Sequence, residues 1–253
     1  ACCGLVTVLF PSISMPVAAV LSIAVMCFYV IFGGAWGAGM GGVLKLVLLY
    51  VSSVVGMAVV LVLSDGPTGL LGQLNTLLAG TDLGMVQAAD GLANLPDSQA
   101  VAGRFLNLVA RGKMTDIGSG ISLLLGVLST QTYAQAIWSG KTDRAAKRGA
   151  LLSACLIPPL GIAGILIGMF MRAHYVTQAE VDALLAAGLP APDLPVIANT
   201  IQVFLTFVTH FLPPLFAGIV LGTLLITVVG GGAGLSLGMA TILVKDIYKR
   251  VTH

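Results

Sequence analysis

The sequence predicts an all-α integral membrane protein, and three observations carry that expectation. No Asp, Glu, Lys or Arg occurs in residues 1–44 or again from Leu194 to Val244. Charged residues make up only 9% of the chain against 57% apolar, with a mean hydropathy of +1.03. A glycine-rich break, Gly230-Gly231-Gly232-Ala233-Gly234, interrupts the second half of the longer charge-free run. A spanning helix needs about 20 apolar residues, so 194–244 is too long for one crossing. A soluble domain would need a polar surface that so few charges cannot supply.

The elements follow in order. Pro11 and Pro16 bracket a short turn, so residues 1–10 read as the end of one helix. Crossings are expected near 16–33, 42–64, 117–139, 148–171 and 213–242, with a turn over 33–41 between the first two. Residues 65–116 are rich in Gly, Asp, Asn and Gln with short apolar patches at Leu70-Leu71 and Leu77-Leu78. A loop of that length is usually functional or partly helical. Thr177-x-x-Glu180 reads as a capping box before a short helix that Gly188 and Pro190 end. Residues 196–211, followed by Pro213-Pro214, read as a helix on the membrane surface or packed on the bundle. The chain opens Ala1-Cys2-Cys3 with no basic leader, as a piece of a longer polypeptide would.

Basic residues orient such a bundle. The 139–148 connection carries Lys141, Arg144, Lys147 and Arg148, and the C-terminal end carries Lys245, Lys249 and Arg250. With alternating spans these fall on the same side as Lys45. The opposite side takes Asp65, Asp82, Asp90, Asp97, Asp116, Glu180, Asp182 and Asp193, with Arg104, Arg111, Lys113 and Arg172. The reading is a multi-pass protein of the plasma membrane, with 139–148 and the C-terminus cytoplasmic and 65–116 and 172–212 outside.

Candidate chemistry inside the spans is neutral. Ser129-Thr130-Gln131-Thr132-Tyr133, with Gln135, is the densest polar cluster, and Gln131 and Gln135 share a helix face. It reads either as cavity lining or as hydrogen bonding between helices. Gly33, Gly37 and Gly41, and again Gly230, Gly234 and Gly238, repeat at four-residue spacing. Such glycines let helices cross closely; the extra glycines at 231 and 232 allow a local unwinding as the other reading. No carboxylate lies within an expected span, which argues against a proton relay in this part of the chain. His174, His210 and His253 are isolated, and Trp36 and Trp138 suit boundary anchoring. Cys2, Cys3, Cys27 and Cys155 form no CxxC pair. The net charge of +2 suggests no nucleic-acid partner, and no catalytic set points to an enzyme.

Three stretches then act together: Phe28-Tyr29-Val30-Ile31-Phe32-Gly33-Gly34; Gln131-x-x-x-Gln135 followed by Lys141-x-x-x-Ala145-x-Lys147-x-Gly149; and Pro213-Pro214-x-x-x-Ala217-Gly218 ahead of Lys245-Asp246-Ile247-Tyr248. In this order they resemble the sodium/solute symporter family over nearly the whole chain. The resemblance implies a LeuT-type helix bundle with broken helices, solute and sodium meeting at midplane. On that mapping the chain is incomplete, running from the third core helix to the eighth. Gln131 falls at a solute-facing position, so Ser129, Thr130, Gln131 and Gln135 are the candidate substrate-binding residues. Family members carry a Ser-Thr pair sixteen positions before the inner Asp; counting back from Asp246, this chain has Gly230 and Gly231. A hard cation needs several oxygens, so the candidate ion set, Thr227, Gly230, Gly231 and Ser236, lacks the usual hydroxyls. The expected function is a secondary active transporter, a symporter-like permease moving a small polar solute by alternating access. Its partners are the lipid bilayer, the solute and a coupling cation, sodium, with no other cofactor. The competing readings are a solute-sensing membrane module and an uncoupled or inactive carrier.

Overall fold

The computed structural model describes residues 6–7, 10, 12–80, 112–130, 133–134, 137, 140–186, 188–198 and 200–252, with the backbone alone at 34–41, 78–80, 201 and 246. The order of elements is α1 (Met15–Leu63), α2 (Gly66–Gly80), α3 (Lys113–Ser129), α4 (Asp143–His174), β1 (Val176–Thr177), α5 (Gln178–Ala186), β2 (Val196–Ile197), a 3-10 turn (Thr200–Gln202), α6 (Val203–Phe211), α7 (Pro214–Thr241), a π-helical segment (Ile242–Tyr248) and α8 (Lys249–Thr252).

Helix ends follow local chemistry. Thr142 Oγ1 accepts the Ala145 N–H at 3.2 Å and caps α4. Asp143 sits in the first turn of that helix and Arg172 and His174 in its last, each complementing the helix dipole. Pro214 occupies the first turn of α7, where its missing N–H costs nothing. α1 ends where Asp65 and Gly66 take φ values of 54° and 89°, and Gly69 in α2 has no room for a Cβ against the Ser64 carbonyl oxygen.

Among the described residues four stretches are helical, long and apolar enough to cross a membrane: Met15–Gly33, Gly42–Leu63, Asp143–His174 and Pro214–Thr252. Large side chains such as Ile31 (75% exposed), Phe32 (76%) and Leu215 (73%) stand open to the surroundings. Hydrocarbon is the solvent that suits such surfaces.

Three expectations change. The turn over 33–41 is absent: α1 is helical throughout its 49 residues, about 73 Å at about 1.5 Å per residue. Residues 34–41 contain glycine but no proline and no capping side chain to stop a helix. Without a reversal at 33–41, alternation of spans no longer places Lys45 on the side of the 139–148 connection. The unwinding at 230–234 is also absent, because α7 runs unbroken from Pro214 to Thr241. The irregular stretch comes later, at the π-helical Ile242–Tyr248. Finally, α3 covers 113–129, so the helix in the expected 117–139 crossing ends at Ser129; much of 131–139 lies outside the described residues. Residues 81–111 of the long loop lie outside them too, while its first part is the helix α2.

The chain divides into two units: Ala1–Ser53, Gly126–Leu160 and Pro213–His253 in the first, Val54–Leu125 and Gly161–Leu212 in the second. Formal charge segregates with them, since the first holds eight Lys or Arg and two Asp, the second four and eight acids. In the second unit Leu70 and Leu74 on one face of α2 are fully buried, as are Val60, Phe207 and Val208. Val176 and Leu184 pack with Leu77, Val181, Leu189 and Leu194. Gly56 permits a close crossing there: a Cβ at this position would lie 2.9 Å from Ile167 Cδ1 and 3.5 Å from Phe207 Cε1. α6 is thus a packed helix, with Leu205, Phe207 and Val208 inside. In the first unit Ala18, Val220, Val229 and Ala233 are buried, and the Tyr50 hydroxyl donates to the Leu156 carbonyl, tying α1 to α4.

Candidate functional site

Ser129 and Thr130 stand where α3 stops. Thr130 N–H donates to the Val127 carbonyl at 3.2 Å and Tyr133 N–H to the Thr130 carbonyl at 3.1 Å, both spaced three residues apart. Both hydroxyls turn back onto one acceptor, the Gly126 carbonyl, at 3.0 Å from Ser129 Oγ and 2.6 Å from Thr130 Oγ1. Hydroxyls bonded locally in this way compete with the helical ladder. A chain that stops its helix at a polar cluster within an apolar segment presents backbone and side-chain groups together. Gln131 and Gln135 lie outside the described residues.

The second candidate set lies on α7. Thr227 precedes Gly230 and Gly231 by three and four positions and so shares their helix face. Thr227 Oγ1 is buried and has no hydrogen-bond partner among the described residues. Ser236 is exposed, and its hydroxyl donates to the Gly232 carbonyl at 2.9 Å. Gly231 faces open space, whereas a Cβ on Gly230 would meet the Lys45 ammonium at 3.9 Å. A Cβ on Gly232 would strike Met26 Sδ, so the glycine run serves a close crossing of α1 and α7. Because α7 is regular here, the carbonyls of 230 and 231 belong to its ladder. Thr227 Oγ1 is then the one free oxygen among the four candidates' described side chains, and a sodium ion needs more than that.

A third feature, in the second unit, was only half visible in the sequence. A cavity of about 230 Å³ is lined by Arg172, Tyr175, Thr177, Glu180, Thr200 and Val203, among others. Across it Arg172 Nη2 lies 2.9 Å from Glu180 Oε1, and Nη1 donates to Oε2 at 3.2 Å. The same Oε2 accepts the Thr177 N–H at 2.9 Å and the Thr177 hydroxyl at 2.8 Å. The expected capping box is present on its glutamate side, with the threonine hydroxyl spent on the carboxylate. The Thr-x-x-Glu spacing signals the cap; nothing in the spacing signals the arginine. With the guanidinium paired, the cavity wall is held together more than it is primed to bind an anion. Among the described residues no group of three or more His, Cys, Asp or Glu comes together.

No curated protein and no solved structure matches this chain. One family model does, that of the sodium:solute symporter family, over residues 4–253.

Proposed function

The chain belongs to the sodium:solute symporter family, and from that premise we propose that it is a secondary active transporter moving a small polar solute by alternating access. The match across 4–253 is the observation that carries this reading. The end of α3 at Ser129 supports a solute site there, built from Ser129, Thr130, Gln131 and Gln135. Interrupted helices place free polar groups inside a membrane without exposing them to lipid. The cationic ends, at 141–148 and 245–250, are assigned to the cytoplasm of a plasma-membrane protein.

The test is uptake by purified protein in liposomes, screened with radiolabelled amino acids, sugars, carboxylates and vitamins. Losing one buried hydrogen bond costs about 1–3 kcal/mol. Gln131→Ala is therefore expected to raise the half-saturating solute concentration roughly five- to hundred-fold, with liposome incorporation unchanged. Accumulation of no solute would end the transport reading, and unchanged saturation in the variant would move the site elsewhere.

A further inference from the structure

Lys141, Arg144, Lys147 and Arg148 fall within eight residues that contain a single acid, Asp143. All four are exposed, and none is ion-paired among the described residues. The last three belong to the start of α4, where spacings of three and four positions put them on one face. Leu151 (68% exposed) and Leu152 (61%) carry that face one turn further into the span, and the exposed Cys155 another. Between 143 and 160 the three residues that are not exposed are Ala146, Leu156 and Leu160, which lie on the opposite side of the helix. That opposite side is where α1 attaches, through the Tyr50 hydroxyl and the Leu156 carbonyl. α4 is long and apolar enough to cross a membrane. Its basic face therefore points to lipid, with the cations at headgroup level and the leucines beside the acyl chains.

We propose that the Arg144–Lys147–Arg148 face of α4, with Lys141 beside it, binds an anionic phospholipid. The phosphodiester sits on the cations and an acyl chain runs along Leu151 and Leu152. Guanidinium groups match phosphate oxygens in pairs, and dense basic clusters beside a spanning helix attract anionic headgroups. The apolar continuation decides between lipid and a soluble anion. A free phosphate would meet the same cations and gain nothing from the leucines, whereas a lipid covers both parts of one stripe. The site goes beyond the transport reading and is independent of the solute and of any coupling ion.

The experiment is thermal unfolding of the purified protein in neutral detergent, titrated with dioleoylphosphatidylglycerol or with dioleoylphosphatidylcholine. A ligand bound only by the folded state at ten times its Kd should raise Tm by about 3–6 °C. Wild type is expected to show that rise with the anionic lipid and none with the zwitterionic one. Each basic side chain at a membrane surface is worth roughly fivefold in affinity. Arg144→Gln/Lys147→Gln/Arg148→Gln is therefore expected to need roughly a hundredfold more anionic lipid for the same rise. Because these side chains are exposed, that variant should melt as wild type does in phosphatidylcholine. Arg144→Lys/Arg148→Lys, which keeps the charge, should retain most of the affinity. Lys249→Gln/Arg250→Gln, at the other basic end, should stay within about threefold of wild type. No rise specific to the anionic lipid, an unchanged midpoint in the glutamine variant, or an equal loss in the 249/250 variant overturns the proposal. An equal rise with inorganic phosphate or glycerol 3-phosphate would also overturn it, by making the occupant a soluble anion. If the triple variant does not fold, Arg148→Gln alone decides, with roughly a fivefold loss expected.

Discussion

Glu180→Ala is expected to lower the unfolding free energy by about 2–4 kcal/mol, the low side of the range for breaking a buried ion pair. The reason is the load on one carboxylate. It faces both terminal nitrogens of Arg172 and accepts two bonds from Thr177. Arg172 and Glu180 are only 14% and 22% exposed. Removing the carboxylate strands a guanidinium and uncaps α5 in a single step. The residual exposure is why the upper end of the range is not expected. Glu180→Gln, which can still accept from Thr177, should fall between. Arg172→Met/Glu180→Met should recover much of the loss, since no charge is left unpaired. Thermal melts of these three variants against wild type check the expectation; a loss below about 0.5 kcal/mol for Glu180→Ala, the scale of an exposed pair, would mean the clamp is solvated and contributes little.

A comparable loss, about 3–5 kcal/mol, is expected for Phe207→Ala. Phe207 is wholly buried. Its ring meets Phe170 edge-on at 6.2 Å and lies nearly parallel to Phe211 at 5.8 Å. Gly56 on α1 leaves just enough space for it. Truncation would open a cavity bordered by three helices of the second unit, none of which can collapse without breaking other contacts. Phe207→Leu should cost less, because it retains most of the apolar volume. Leu215→Ala, at a residue 73% exposed, is the control and should stay within about 0.5 kcal/mol of wild type. Equal melting temperatures for Phe207→Ala and the control would show that α6 does not hold this unit together.

The contrast between those residues shows what the sequence could convey. Charge-free runs marked the membrane-spanning helices, because exclusion of charge from hydrocarbon needs no knowledge of neighbours. Thr177 and Glu180 were readable for a similar reason: a cap is local. The partner of Glu180 was not, since Arg172 arrives from another helix. The long helix around Gly56 is uniformly apolar and carries no polar face, so nothing there said which side would pack, whereas Thr206, Thr209 and His210 mark the outer side of the helix that buries Phe207. Glycine misled twice. At 34–41 and at 230–234 it suggested a turn and an unwinding, yet glycine only permits such departures, and the helix persists at both. The π-helical stretch at 242–248 and the two-residue strands have no local signature, as their geometry answers to tertiary contacts. Of the polar cluster, Ser129 and Thr130 stand at a helix end, where the sequence had suggested a crossing continuing to 139.

The parallel pairing of Val176 with Val196 and Thr177 with Ile197 has a consequence in chain entropy. It fastens both ends of the 178–195 excursion, so the closure cost of that loop is already met by the fold. Lengthening a loop whose ends are fixed adds cost only logarithmically, about 0.6 kcal/mol per doubling. Gly188 is exposed and has a φ of 73°, which suits a break in the chain. A short epitope inserted after Gly188 is therefore expected to leave Tm within a few degrees of wild type. Antibody binding to intact cells would then report the face of the membrane to which this segment belongs. The same small pairing that completes a cavity wall thus makes the segment a place where sequence can grow without loosening the helices it joins.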